Sequence, residues 1–214
     1  MPQDINKSVP KKIAPALLFA AFSLVISALL QLFRLELLET LIFFVFFLEL
    51  FAVGFLFFSL LLSIKYIYRN RRAIRLQVFI PLLINFITIF IVLFTPLSDI
   101  VLEADFSINK NAREKVVSLI ESGALKPNVE HNEKLIHLPS EYRNLSKGGG
   151  DIKIANTQEG VAVFFFMFRG ILDNYSGFAY CPSDNIDCTK EFVYENDILQ
   201  VVKKNNNWYW LASN

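Results

Sequence analysis

Histidine and cysteine are scarce in this chain, with two of each among 214 residues. Neither cysteine belongs to a C-x2-C pair and no histidine lies near them in sequence, so a zinc site lacks its ligand set. The string around the histidines is E-H-N-E-K-L-I-H, Glu130–His137, which is not H-E-x-x-H. No G-x-S-x-G occurs, and Gly148–Gly150 is not followed by Lys-Ser/Thr, so a nucleophile elbow and a phosphate-binding loop are both missing. No catalytic constellation is visible: the chain reads as a non-enzyme with no cofactor and no metal. Charge is also sparse. Only 19% of residues are charged and the net charge is +1, which excludes a nucleic-acid partner held by bulk charge.

What replaces charge is apolar length. Hydrophobic residues make up 54% of the chain, above the 45–50% or so of soluble domains. The excess falls in three runs. Ile13–Phe33 has no charge, Leu41–Ile64 has only Glu49, and Leu76–Leu97 has none. Roughly 20 helical residues cross a hydrocarbon core of about 30 Å, so each run is long enough. Lipid offers the backbone no water, so the runs must be helical. The first is too long for the apolar region of a signal peptide and no A-x-A-like site follows it, so it is expected to be retained. The expected division is a three-span bundle over residues 1–97 and a folded domain over residues 98–214.

The short segments orient the spans. Lys7, Lys11 and Lys12 precede the first, and Lys65, Arg69, Arg71, Arg72 and Arg75 separate the second from the third without an acid. Arg34, Glu36 and Glu39 separate the first from the second. Basic segments stay cytoplasmic, so the N-terminus is expected inside and the C-terminal domain outside a plasma membrane crossed three times. Net charge agrees, +5 for residues 1–95 and −4 for the remainder. Both cysteines, Cys181 and Cys188, fall in the outer part, where a disulfide is permitted. Closing the turn-rich loop between them is worth about 2–3 kcal/mol on a chain-entropy basis.

Within the spans, small and polar residues recur every three or four positions. Ala16, Ala20, Ser23, Ser27 and Gln31 do so in the first, Glu49, Ala52, Ser59 and Ser63 in the second with Leu56 completing the spacing, and Pro81, Asn85, Thr88 and Thr95 in the third with Val92 completing it. That spacing places them on one helix face, as packed helices in lipid require. Glu49 lies roughly 12 Å below the outer boundary by helical rise. A carboxylate there must be paired or protonated. Depth counting groups it with Ser27, Thr88 and Asn85, and hydroxyls of the flanking spans are its expected partners. The alternatives are a proton or cation site, or a carboxylate turned to lipid or to a partner chain.

The C-terminal part reads as an extracytoplasmic α+β domain, one helix followed by an antiparallel, curved sheet of five or six strands. Ser98–Phe106 is expected to connect. Asn111 with Glu114 resembles a capping box, and Gly123 with Pro127 stops the helix. Strands are expected at Lys134–Leu138, Asp151–Ala155, Val161–Phe168, Gly177–Cys181, Phe192–Glu195, Ile198–Lys203 and Trp208–Ala212, with a hairpin turn at Lys204–Asn207. Val161–Phe168 is apolar without alternation, so both of its faces should be covered. A barrel-like closure or a partner surface would do this. Arg169 and Asp173 read first as a turn-closing ion pair, and Trp208 and Trp210 first as core side chains at a sheet end, with ligand binding as the alternative for each.

The strings LPSEYRNLSKGGGDI and FFMFRGILDNYSGF, Leu138–Ile152 and Phe165–Phe178, resemble stretches of uncharacterised bacterial membrane-anchored proteins. The resemblance implies a bacterial source and carries over no activity and no site residue. The expected function is a membrane-anchored binding, sensing or assembly module, with the bilayer and a protein partner or a second copy as its contacts. The alternative is a small transporter or channel subunit that uses Glu49.

Overall fold

The computed structural model describes residues 14–71, 76–170, 174–193 and 197–213. They form two compact units, one reaching to Ile100 and the other made of Leu38–Thr40 with the chain from Val101 onward.

The first unit is helical. It contains α1 (Ala14–Leu32), α2 (Arg34–Arg69) and α3 (Ile80–Phe94), with a 3-10 turn at Leu76–Phe79 leading into α3. Three windows, Pro15–Leu32, Phe43–Arg69 and Leu76–Phe94, are long and apolar enough to cross a membrane. Pro81 sits in the first turn of α3, where its missing N–H costs no helical bond. Residues Arg34–Thr40, expected as a polar loop, are instead helical. Phe33 alone separates α1 from α2, and α2 breaks at Leu41 (φ −131°, ψ 37°) before the apolar window begins. The packing is inverted relative to a water-soluble bundle. Ser23, Ser27, Ser59, Ser63, Asn85 and Thr88 are buried, whereas Phe43 is 78% exposed, and Phe44, Phe46, Phe47 and Phe51 also face outward. The small and polar stripes thus face inward, with Glu49 as the exception described below. Tyr66 packs against Ala16 and Val78.

The second unit is α+β. Helix α4 runs Leu97–Glu121, so the expected connector Ser98–Phe106 is helical. Asn111 therefore starts nothing, and Glu114 pairs along the helix with Lys110 at 3.2 Å. Gly123 (φ +75°) ends α4, its N–H bonded to the Ile120 carbonyl at 2.9 Å. Six strands follow: β1 (Leu135–His137), β2 (Asp151–Thr157), β3 (Gly160–Arg169), β4 (Tyr175–Tyr180), β5 (Ile198–Asn205) and β6 (Trp208–Ser213). All pair antiparallel in the order β1-β2-β3-β4-β6-β5. The β5–β6 turn falls at Asn206–Asn207, with Asn207 in the left-handed region at φ +65°.

The sheet is open, which corrects the barrel-like expectation. Its central strand is nonetheless covered on both faces by the chain itself. Val163, Phe165 and Met167 of β3 point into a core built with Phe106, Val116, Val117 and Ile120 of α4. Ala162, Phe164 and Phe166 point the other way, against Cys181, Cys188, Phe192 and Val193. Residues Phe192 and Val193, expected to begin a strand, follow a 3-10 turn (Ile186–Glu191) and act as that second cover, while residues 194–196 lie outside the described residues. The Phe192 ring centroid lies 5.5 Å from that of Phe164. The Phe192 carbonyl accepts from Lys153 Nζ at 2.8 Å and from the Tyr175 hydroxyl. A Cys181–Cys188 disulfide closes the segment. Asp184 ties it to the last hairpin, accepting from Lys203 Nζ at 2.6 Å, the Asn207 N–H at 3.1 Å and the Tyr209 hydroxyl at 3.0 Å. The Lys203 ammonium, then the Asn207 amide, hold its carboxyl below the usual aspartate range.

On the α4 side a guanidinium is enclosed. Arg113 is 0% exposed. Its Nη2 donates to Asp105 Oδ2 at 2.5 Å and to the Leu145 carbonyl at 3.3 Å. Its Cζ lies 4.9 Å from the Phe178 ring centroid. Burial pushes its pKa down, and Asp105 opposes the shift.

Both tryptophans, Trp208 and Trp210, lie in this core, so their fluorescence reports on the sheet unit alone. Replacing Cys181 and Cys188 by serine is expected to lower its unfolding free energy by about 2–3 kcal/mol in urea titrations read by that fluorescence. Arg113→Met is expected to cost on the order of 3 kcal/mol by the same assay, the lower end for a broken buried pair, because Asp105 keeps partial access to water.

Candidate functional site

Two polar constellations stand out, one in each unit. In the helical unit Asn85 is the hub. Its Nδ2 donates to Ser63 Oγ at 2.9 Å and to the Pro81 carbonyl at 3.0 Å, while Ser59 Oγ donates to its Oδ1 at 2.9 Å. Ser63 passes its own proton to the Ser59 carbonyl at 3.0 Å. Every polar atom of the Asn85 side chain is engaged, and α2 and α3 are locked in register by it. Thr88 bonds its own helix at the Ile84 carbonyl, 2.9 Å away. Ser27 is buried and lines a cavity described below.

Glu49 does not join these hydroxyls. Its Oε1 pairs with Arg34 Nε at 3.2 Å, and the two side chains remain 44% and 54% exposed. The expected cluster of Glu49, Ser27, Thr88 and Asn85 is therefore divided. Asn85 finds Ser59 and Ser63, and Glu49 finds an arginine at the start of its own helix. Arg34 lies fifteen residues before Glu49 and on the far side of the Leu41 break. No periodicity in the sequence encodes that approach.

Beside this pair the ends of α1 and α3 and the first turn of α4 enclose a cavity of about 690 Å³. One wall is apolar, with Leu30, Val53, Leu56 and Val92. The polar wall carries Gln31, Arg34, Glu49, Ser98 and Asp99. Gln31 is pinned from both ends. Its Nε2 donates to the Val92 carbonyl at 3.1 Å, and its own carbonyl accepts from Ser98 Oγ at 3.2 Å. Its Oε1 is buried with no donor.

In the sheet unit the polar constellation grows from a glycine loop. Gly148, Gly149 and Gly150 all hold positive φ, +68°, +93° and +85°. A Cβ on Gly148 would sit 3.1 Å from Arg169 Cδ, and one on Gly150 would overlap the Arg143 side chain. Only glycine lets the loop lie against both arginines. The Ser146 hydroxyl pins the loop to two strands, donating to the Asp151 carbonyl and accepting the Phe166 N–H at 2.9 Å. The arginines are linked through strand ends. His137 Nδ1 lies 2.8 Å from Asp151 Oδ1, Arg143 Nη2 lies 3.1 Å from His137 Nε2, and Arg169 Nη1 lies 3.4 Å from Asp151 Oδ2. A guanidinium only donates, so Nε2 accepts and the proton on His137 sits at Nδ1, directed at Asp151. The Asp151 carboxylate thus meets one guanidinium and an imidazole, the second guanidinium joins through the imidazole, and the four side chains together carry net positive charge at one end of the sheet.

Arg169 was expected to face Asp173, which lies outside the described residues; its observed partner is Asp151. Arg143, His137 and Asp151 lie in the signal-poor stretch before and after the glycines, and only the glycine triplet hinted at them. Trp208 and Trp210 are core side chains, 1% and 9% exposed, so neither offers a stacking face to a ligand. His131 is exposed and pairs with Glu130 at 3.4 Å. Among the described residues no group of three or more His, Cys, Asp or Glu is placed to hold a metal ion.

No family model, no curated protein and no solved structure matches this chain.

The Asn85 hub and the Arg34–Glu49 pair differ in what their loss should cost. Asn85→Ala leaves the buried Ser59 hydroxyl without its acceptor, removes the donor to Ser63 Oγ, and is expected to destabilise the bundle by about 1–2 kcal/mol. Glu49→Gln breaks a half-exposed pair and is expected to cost under about 1 kcal/mol. Denaturation of the full chain in mixed micelles, read by helical circular dichroism, measures both. Equal losses would contradict the assignment of Asn85 as the packing hub.

Proposed function

We propose that the chain is a membrane-anchored module whose sheet unit lies outside the cytoplasm and binds an anionic group on a partner, with the three helices as anchor. The anchor follows from three windows of sufficient length and from their inverted packing, phenylalanines outward and hydroxyls inward. Orientation follows from the basic segment between the second and third windows, which carries Lys65, Arg69, Arg71, Arg72 and Arg75. The Cys181–Cys188 disulfide fits an oxidising compartment.

The observation that carries the binding role is the Arg143–His137–Asp151–Arg169 group. The sheet unit covers both faces of its central strand with its own chain, so no apolar sheet face is left in need of a partner. The charged group is held by three glycines in backbone conformations that other residues resist. Guanidiniums so positioned suit carboxylate or phosphate oxygens. A transporter or channel subunit that uses Glu49 is the second reading. The cavity beside Glu49 favours it, and the Arg34 pairing weighs against it, since the carboxylate already holds a cationic partner.

Full-length protein in nanodiscs, titrated with inorganic phosphate and with an acetylated tetra-aspartate peptide, tests the binding role. Saturable binding of at least one probe is expected, weakened tenfold or more in Arg143→Ala or Arg169→Ala. Absence of saturable binding at millimolar probe refutes it. A cysteine introduced at Ser122 should react with an impermeant maleimide on intact cells; reaction only after lysis would refute the orientation.

A further inference from the structure

We propose that the cavity bounded by α1, α2, the end of α3 and the first turn of α4 is a binding site for a zwitterionic aminophospholipid. The inference rests on the membrane placement proposed above and is independent of the charged group in the sheet unit.

The cavity, at about 690 Å³, falls within the size range of sites that hold small organic ligands. Its lining is amphipathic. Leu30, Val53, Leu56 and Val92 supply an apolar wall from within the spans, where an acyl chain and glycerol carbons would lie. Gln31, Arg34, Ser98 and Asp99 lie close to where the apolar windows of α1 and α3 end, at Leu32 and Phe94, which is the level of lipid headgroups, and Glu49 lies inside the window that opens at Phe43. A site of this shape fits an amphiphile better than a water-soluble ion or an alkane.

Charge selects the headgroup. Among the described residues the lining holds one cation, Arg34, and two carboxylates, Glu49 and Asp99. A purely anionic lipid would meet two like charges for one opposite charge. A zwitterion matches both signs, its phosphate on the Arg34 guanidinium and its amine on the carboxylates. Arg34 and Glu49 are 3.2 Å apart and each about half exposed, so both remain within reach of a ligand without leaving one another. A primary ammonium brings three N–H donors to the carboxylate oxygens of Glu49 and Asp99. The quaternary ammonium of a choline headgroup has none to give. Phosphatidylethanolamine therefore satisfies the wall, and phosphatidylcholine and phosphatidylglycerol do not. The same occupant accounts for a carboxylate within an apolar span: Glu49 keeps a cationic partner on either side.

Native mass spectrometry of the full-length protein, delipidated in mild detergent and given equal dioleoyl-phosphatidylethanolamine, -phosphatidylcholine or -phosphatidylglycerol, tests this. Ethanolamine-lipid adducts are expected at least fivefold above either of the others, and Arg34→Gln or Glu49→Gln should reduce the preference to below twofold. Equal adducts for all three, or preference for phosphatidylglycerol, overturns the proposal, and this wild-type series decides it even if a variant fails to fold. Displacement of the lipid by millimolar phosphoethanolamine would overturn lipid as the occupant in favour of the free headgroup. Alkaline carbonate extraction of membranes separates the two levels of inference. Release of the chain would remove the membrane placement itself, whereas retention with no headgroup preference would remove only the lipid site.

Discussion

A guanidinium enclosed in the sheet unit sets the length and position of the helix that carries it. Arg113 cannot hold charge in an apolar core without acceptors around it, and the enclosure of such a group costs several kcal/mol unless they are present. Asp105 supplies one, two helical turns upstream. The carbonyl of Leu145 supplies another, from the loop before β2. For Asp105 to be within reach, α4 must already be helical at that point, which is why the segment before Ala112 is not a connector. For Leu145 to be within reach, the loop must fold back over the helix, and that loop then delivers Ser146 and the glycines to the ends of β2 and β3. Phe165 and Phe178 flank the cation, so the sheet closes around the same group. One side chain thereby positions the helix, the loop and the sheet against each other.

The helical unit obeys the reverse economy. Its outside is phenylalanine and leucine, and its inside is serine, threonine, asparagine and alanine. Where no gain comes from hiding apolar surface, helices are held by close backbone approach and by hydrogen bonds between them. Asn85 with Ser59 and Ser63 is such a bond set, complete within itself. Glu49 and Arg34 stand apart from it, at the polar end of a cavity rather than in the packing seam.

Much of this was legible in the sequence, for identifiable reasons. The three apolar windows and their inward stripes follow from length and from a three-to-four periodicity, both of which survive any detail of packing. The strands at Asp151, Val161, Gly177, Ile198 and Trp208 follow from short β-rich runs between turn residues. The unbroken apolarity of Val161–Phe168 correctly announced two covered faces, but which element covers the second face depends on a disulfide-closed excursion whose path no local pattern records. Phe192 and Val193 look like a strand because a cover and a strand both need apolar side chains. The capping signal at Asn111 was overridden by Arg113, whose need for Asp105 extends the helix past it. The Arg34–Glu49 pair and the Arg143–His137–Asp151–Arg169 group are long-range meetings of ordinary surface residues, and only the Gly148–Gly150 triplet marked a place where backbone approaches closely.

The strand order carries a kinetic consequence. β6 lies inside the sheet while β5, which precedes it in the chain, lies at the edge. The chain therefore leaves β4, passes across the sheet, and returns so that the later strand docks first. The β5–β6 ribbon must preassemble locally and then zip onto β4 through its second member, a non-local step that waits on loop closure across the intervening excursion. Until β6 pairs with it, β4 is a bare edge open to intermolecular pairing.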